Sequence, residues 1–316
     1  MEDVPPPALL ERTLLYVTGK GGVGKTTVAA ALGLAAAERG RRTIVCEVAE
    51  QDRVSRAFER EGVRSGEAEV ELAPNLWAIS IDPQSALEEW LARQLGGALG
   101  TGAFRTLLRS STFQYFVAAA PGARELITIA KVWELAQPER WDRANRTYDL
   151  VIVDAPASGH GIAMLSTPRT YAEIARVGPI RRQATKVSAL LSDPERTGYL
   201  AVALPEEMPV AETLELDPRL REAVGLGFEA VVVNALFPER YSSAEAETLE
   251  AVAAGSAPVR AALAEDARAR GQRVHLGRLR REVPEGVAVL TLPFLFAPDV
   301  GLAAWRRLAR ELDRRL

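Results

Sequence analysis

The sequence predicts an α/β protein with a doubly wound, mostly parallel sheet and an inserted helical subdomain. Short apolar runs alternate with helical patterns along most of the chain. Strands that are apolar along their whole length are buried on both faces, which is typical of a parallel sheet covered by helices on both sides. We predict strands at 13–19, 42–48, 75–82, 148–156, 198–204, 228–237 and 287–294.

Two stretches interrupt the alternation of strand and helix. Residues 84–146 and about 165–196 show successive helical patterns without a strand pattern. We interpret them as a helical subdomain inserted into one domain that spans residues 1–316. The acidic, proline-rich residues 1–11 are predicted to be disordered and do not resemble a signal peptide.

Composition limits the function classes. The chain has 316 residues, a net charge of −3 and a single cysteine, Cys46. The acidic balance predicts no nucleic-acid partner, and one cysteine excludes an internal disulfide or a metal site built from several cysteines of one chain. No apolar run reaches the roughly 18 residues of a membrane span. We therefore expect a cytoplasmic protein.

The clearest motif is a phosphate-binding loop between the first strand and the first helix. Gly19, Gly24, Lys25 and Thr26 fit the pattern G-x-x-x-x-G-K-[ST]. Glycines let backbone N–H groups approach phosphate oxygens, the lysine adds a full charge, and the hydroxyl ligates Mg²⁺. We predict ATP and Mg²⁺ as cofactors, with ATP bound by Gly19, Lys20, Gly21, Gly22, Val23, Gly24, Lys25, Thr26 and Thr27.

Lys20 and Asp154 extend this site. Lys20 is a second lysine in the loop, at a position from which its side chain does not easily fold back onto the enclosed phosphates. It is placed to reach a nucleotide in a facing subunit, the alternative being a solvated surface lysine. Asp154 ends an apolar strand, where an acid can hold Mg²⁺ through water. We predict Lys20 and Asp154 as catalytic residues, with Thr26 and Asp154 serving the metal.

Three segments carry a family resemblance. The loop "KGGVGKTT" (20–27) resembles the deviant Walker A loop of the MinD/ParA-type P-loop ATPases, which act as dimers. Within that group, "DAPASGHGIAML" (154–165) and "PGARELITIAKVWEL" (121–135) resemble the arsenite-pump (ArsA-like) and tail-anchored-protein-targeting ATPases. The resemblance implies a homodimer, or a heterodimer with a paralogue, in which Lys20 stabilises phosphate charge across the interface.

The same resemblance implies further site residues. Asn234 would hydrogen-bond the adenine, Glu206 would approach nucleotide at the dimer face, and Pro293 with Phe294 would border the base. Glu47 occupies the position of the family's water-activating aspartate. A solvated or capping role for Glu47 stays open, and Glu50 and Asp52 are rival candidates.

These observations predict a Mg²⁺-dependent ATPase that switches conformation as a dimer. One alternative is a slowly hydrolysing targeting factor for hydrophobic membrane-protein segments, with an apolar client face in 104–122 formed by Phe104, Leu107, Leu108, Phe113 and Phe116. Another is the energising subunit of an oxyanion efflux system, against which the single cysteine speaks. The final amphipathic helix, with Trp305, Leu308 and Leu312 on one side, is expected to pack on the sheet.

Overall fold

The structure is a computed structural model. It describes residues 8–48, 53–58, 69–95, 122–141, 146–253, 256–297 and 301–316. Among these residues, eight strands form one sheet in the order β3-β4-β2-β5-β1-β6-β7-β8. The strands are β1 Leu14–Thr18, β2 Thr43–Glu47, β3 Val70–Ala73, β4 Leu76–Ser80, β5 Leu150–Asp154, β6 Thr197–Ala203, β7 Ala230–Leu236 and β8 Ala288–Pro293.

The sheet is parallel except at one edge, where β3 pairs antiparallel with β4. This confirms the predicted doubly wound α/β class, and each predicted strand has a counterpart. β3 was not predicted. The register places Glu47 of β2 beside Asp154 of β5, so both carboxylates lie at the carboxyl ends of adjacent strands. Ligands of open α/β sheets bind outside this edge.

Helices cover both faces of the sheet. They are α1 Lys25–Glu38, α2 Arg53–Ala57, α3 Pro83–Leu95, α4 Ala123–Leu135, α5 Ser158–Ile174, α6 Pro179–Leu191, α7 Glu207–Val224, α8 Ser243–Val252, α9 Ala257–Glu282 and α10 Leu302–Asp313. The described parts of 84–146 and 165–196 contain helices and no strand. That these helices form a distinct subdomain stays a proposal.

Alternate strand residues feed two hydrophobic layers. On one face, Tyr16 and Val153 pack with α3 to α7 and α9. On the other face, Val17 and Ile152 pack with α1, α2 and α10. The alanine-rich α1 is buried along most of its length, and its Gly33 lies where a Cβ would approach Val45 and Leu76 to about 3 Å, which explains the small residues of this helix.

Two further expectations from the sequence concern the N-terminal residues and the client face. The predicted disorder of 1–11 is wrong for Leu9–Glu11, which form a 3-10 turn with Leu9 and Leu10 fully buried. Burial of two leucines next to β1 stabilises the ordered turn, and this outweighs the preference of the acidic, proline-rich residues around them for a disordered segment. The five apolar residues of the proposed client face, from Phe104 to Phe116, lie outside the described residues, as do Glu50 and Asp52.

Candidate active site

The loop between β1 and α1 can be built only with glycine at two positions. Gly19 has φ +143°, and a Cβ there would lie 2.2 Å from the carbonyl oxygen of Val202. Gly24, immediately before α1, has φ +91°, and a Cβ would meet Asn234 Nδ2 at 2.3 Å. Glycine at both positions lets the backbone curl back at the start of α1, where the orphan N–H groups and helix dipole favour phosphate.

Lys25 lies inside this loop. Its Nζ donates hydrogen bonds to the carbonyl oxygens of Gly19 (3.0 Å) and Lys20 (2.9 Å). Burial lowers the pKa of the Lys25 ammonium, and the neighbouring Asp154 carboxylate opposes that shift. Two neutral carbonyl oxygens thus hold the ammonium in the loop. A phosphate oxygen can take their place, because its hydrogen bond to the ammonium is charge-assisted and stronger.

Thr26 and Asp154 form the metal-binding candidate. The Thr26 hydroxyl donates to Asp154 Oδ2 at 2.6 Å, while Asp154 Oδ1 is buried and has no hydrogen-bond partner. Burial raises the pKa of Asp154, against the opposing effects of Thr26 and Lys25. A buried carboxylate oxygen without a partner is costly, and a hydrated cation beside it would supply the missing contacts. The hydroxyl and carboxylate therefore fit Mg²⁺.

A cavity of about 520 Å³ opens beside this pair. Its lining brings together the loop, the end of β2, the start of α2, the end of β5 and α10. The residues are Gly21, Gly22, Gly24, Lys25, Thr26, Thr27, Glu47, Val48, Arg53, Asp154, Ala155, Pro156, Ala157 and Trp305. The structure thus collects most of the predicted loop with Glu47 and Asp154, and adds Arg53 and Trp305, which sequence reasoning missed.

Glu47 is buried at the end of β2 and accepts two backbone hydrogen bonds at the start of α2. Oε1 accepts from Arg53 N at 2.9 Å and Oε2 from Val54 N at 3.3 Å. The capping role that the sequence left open is therefore present, and the same carboxylate also lines the cavity. Glu47 therefore both caps α2 and borders the space in which a ligand would lie.

Trp305 connects the cavity to the C-terminal helix. Its ring meets Phe58, the residue after α2, edge to face at 5.7 Å between centroids. The indole is buried, and its Nε1 has no hydrogen-bond partner. Arg39 of α1 pairs with Asp313 of α10 at 2.7 Å, which helps to hold α10 on α1. Trp305 therefore links α10 with α2 at the cavity wall.

Lys20 points away from its own loop. Its Nζ lies 2.5 Å from Glu212 Oε1 on α7, and each side chain is about one-third exposed, at 32% and 33%. Lys20 is thus held by an intramolecular ion pair at the protein surface, outside the residues that line the cavity. Sequence reasoning did not identify Glu212 as its partner.

The segment after β5 is tied to its neighbours by polar contacts. The Tyr16 hydroxyl of β1 donates to Gly161 O at 2.9 Å, at the start of α5. One residue earlier, His160 Nε2 lies 3.9 Å from Glu125 Oε1 on α4. A shift of the first turn of α5 would therefore disturb both β1 and α4.

The four residues that the resemblance assigned to the base or to nucleotide at the dimer face lie at or after the carboxyl ends of β6, β7 and β8. Asn234 donates from Nδ2 to the carbonyl oxygen of Val23 at 3.0 Å, which ties β7 to the phosphate loop. Phe294, after Pro293 at the end of β8, stacks on Phe237 at 4.3 Å. Glu206 is exposed at the N-cap of α7. None of the four lines the 520 Å³ cavity, so their role in nucleotide binding stays a proposal.

The comparison with known families decides the assignment. A family model described as "Anion-transporting ATPase" matches residues 12–184 and 174–257, which include the loop, Glu47, Asp154 and Asn234. The chain belongs to this family. The predicted resemblance to the ArsA-like ATPases is confirmed, and the chain is accordingly an ATPase.

Named relatives of the anion-transporting ATPase family fall into three groups. ATPase BagA of Mycobacterium tuberculosis is 32% identical over 74% of this chain and 68% of its own length. An arsenical pump-driving ATPase of Acidiphilium multivorum is 28% identical over 78% of this chain and only 41% of that longer protein. ATPase GET3 of Kluyveromyces lactis is 24% identical over 73% of this chain and 74% of its own.

Proposed function

We propose that this ATPase hydrolyses ATP with Mg²⁺ as a nucleotide-gated dimer, and that hydrolysis drives a conformational switch. The observation that carries the proposal is the Thr26–Asp154 pair, with its unpartnered buried oxygen, beside Lys25 in a glycine-built phosphate loop. A loop of this geometry, a cation and a buried acid are the parts that phosphoryl transfer requires.

Each residue of the cavity has a part in the proposed reaction. Lys25 exchanges two carbonyl partners for oxygens of the outer phosphates. Thr26 and Asp154 would hold Mg²⁺, which would supply positive charge to the phosphates. Glu47, fixed by the backbone of α2, orients the attacking water. The buried position of both acids keeps bulk water from screening these charges.

The switch would begin at α5, which follows Asp154 directly. A γ-phosphate bound next to Asp154 favours one position of the first turn of α5, and its loss on hydrolysis releases that turn. The contacts of Gly161 with Tyr16 and of His160 with Glu125 would carry the change to β1 and α4. The helices of 84–146 and 165–196 would then move relative to the sheet.

The dimer would give Lys20 its role. In the protomer Lys20 is paired with Glu212, outside the residues that line the cavity. In the proposed dimer Lys20 leaves Glu212 and donates to the triphosphate held by the facing subunit, which is a second copy or a paralogue. A positive charge that reaches the phosphates only in the dimer makes turnover depend on association.

The test is phosphate release measured against protein concentration, with Mg²⁺ and with EDTA. Lys25→Ala is compared with Lys186→Ala, a lysine exposed on α6. We expect turnover that requires Mg²⁺, rises more than linearly with protein concentration, and falls at least about 100-fold in Lys25→Ala alone. Turnover in EDTA, strict proportionality to protein concentration, or an equal loss in Lys186→Ala would overturn the proposal.

A further inference from the structure

Three apolar side chains are exposed at the turn between α5 and α6. Ile174 is 72% exposed, Val177 84% and Ile180 43%. α5 ends at Ile174, Gly178 adopts φ +100°, and Pro179 begins α6. The three side chains therefore lie within seven consecutive residues. We call residues 174–182 the α5–α6 corner.

The exposure is not explained by packing of the two helices. α5 buries Met164 and Leu165, and α6 buries Val187 and Leu190, so each helix already has an apolar face in the core. The exposed apolar side chains of the corner are therefore additional to the apolar faces that the two helices bury in the core. Side chains exposed to this degree stand out from the surface and do not line a cleft.

The corner is also basic. Arg176, Arg181 and Arg182 are exposed. The nearby acid Glu173 is paired with Arg169 at 3.2 Å, so it does not neutralise these three. The positive charge is local, since the chain as a whole carries −3.

We propose that the α5–α6 corner docks on the surface of a membrane that contains anionic lipids. Exposed apolar tips among arginines match both parts of such an interface, because the tips enter the headgroup and acyl boundary while the arginines meet acidic headgroups. A bare hydrophobic segment would leave the arginines without a partner, and a second copy would bring identical positive charges together. The docking needs no nucleotide and so stands apart from the proposed function.

Membrane docking by a surface patch is compatible with the helices of the protein. Among the described residues, no helix combines the length and apolarity required to cross a bilayer. A corner that inserts a few side chains binds reversibly, and its affinity depends on lipid charge and on salt.

The experiment is flotation of the full chain with phosphatidylcholine vesicles, alone or mixed with phosphatidylglycerol, without nucleotide. We expect binding to the mixed vesicles only, and its loss at high salt. Arg181→Gln with Arg182→Gln lowers partitioning by about 25-fold, since each arginine near an anionic surface contributes about fivefold. Ile174→Ser with Val177→Ser lowers it by at least about tenfold, because the inserted apolar area is lost.

Matched pairs elsewhere control for charge and hydrophobicity. Arg280→Gln with Arg281→Gln removes the same charge from the last turn of α9, and Val252→Ser with Val274→Ser removes exposed apolar side chains. Both control pairs are expected to bind like the wild type. Failure of the wild type to bind mixed vesicles overturns the proposal, as does an equal loss in corner and control pairs. The proposal is also overturned if the corner variants keep vesicle binding but, unlike the control pairs, lose binding of an apolar peptide or lose self-association.

Discussion

Asp154→Asn is expected to stabilise the nucleotide-free protein while removing its response to Mg²⁺ and nucleotide. Asp154 is 7% exposed, and one of its carboxylate oxygens is buried without a partner. Burial raises its pKa in the folded state, so the folded protein holds this proton more tightly than the unfolded chain does. The ionised group therefore lowers the free energy of unfolding at neutral pH. This destabilisation is absent at pH values below the pKa of Asp154 in the unfolded chain, and it develops as the pH rises through the pKa of Asp154 in the folded protein.

The magnitude follows from the unpaired oxygen. The amide keeps an acceptor for the Thr26 hydroxyl and places an NH2 group where the unpaired oxygen lay, so the gain comes from removing the charge, whose unpaired burial costs at least about 1–3 kcal/mol. For a chain of this length that free energy corresponds to a rise in Tm of about 2 to 5 °C. The difference between variant and wild type should shrink at about pH 4, near the ordinary pKa of an aspartate.

Thermal unfolding followed by circular dichroism measures both effects. A non-hydrolysable ATP analogue with Mg²⁺ at 100 times its Kd should stabilise the wild type by about 2.7 kcal/mol, and the variant should lose the part that depends on Mg²⁺. Asp266→Asn is the matched control, because Asp266 is 5% exposed and also has an unpartnered oxygen, but pairs with Arg270 on α9. Its nucleotide response should be unchanged. A lower Tm for apo Asp154→Asn, or a retained Mg²⁺ response, would refute the reasoning.

Three further substitutions probe the cavity and its surroundings. Glu47→Gln keeps an acceptor for the stronger backbone bond, from Arg53 N, and gives up the 3.3 Å bond from Val54 N together with the charge that orients water. Turnover should fall at least about 100-fold with ATP affinity unchanged, as measured by single-turnover kinetics and equilibrium binding. Glu212→Gln frees Lys20 from a one-third-exposed ion pair worth ~0.2–1 kcal/mol, so the protein concentration at half-maximal activity should fall by up to about fivefold. No change, or a rise, would contradict the view that Glu212 holds Lys20 away from the dimer. Trp305→Phe keeps a ring against Phe58 and should abolish most of the change in tryptophan fluorescence on nucleotide binding. An undiminished fluorescence change in Trp305→Phe would show that another tryptophan reports nucleotide binding.

Much of the fold and the centre of the site follow from local sequence. Runs that are apolar throughout and alternate with helical patterns predict buried parallel strands. The carboxyl ends of such strands meet at one edge, where Asp154 Oδ2 lies 2.6 Å from the Thr26 hydroxyl. The glycines of the loop are likewise local requirements of backbone conformation.

The missed features depend on contacts between distant parts of the chain. β3 is short, and only Leu72 is buried, so the strand depends on its pairing with β4. Lys20 and Glu212 are 192 residues apart, and no local pattern announces their pairing. Trp305 reaches the cavity because α10 packs on α1, although its amphipathic pattern correctly predicted packing of the helix.

The capping of α2 by Glu47 illustrates the same limit at short range. The sequence placed the acid at the end of β2 but gave no indication that a helix would begin at Arg53 with its N–H groups directed at the carboxylate. In the structure Glu47 caps α2 and also lines the cavity.

Nucleotide-dependent dimerisation can be tested by sedimentation velocity with and without a non-hydrolysable ATP analogue and Mg²⁺. The wild type and Lys186→Ala should form dimers when the analogue is present. Lys20→Ala should bind the analogue but hydrolyse ATP at least about tenfold more slowly, the scale of losing one charge from the transition state. Wild-type protein that stays monomeric when saturated with the analogue, and whose turnover does not depend on Lys20, would contradict the proposed dimer.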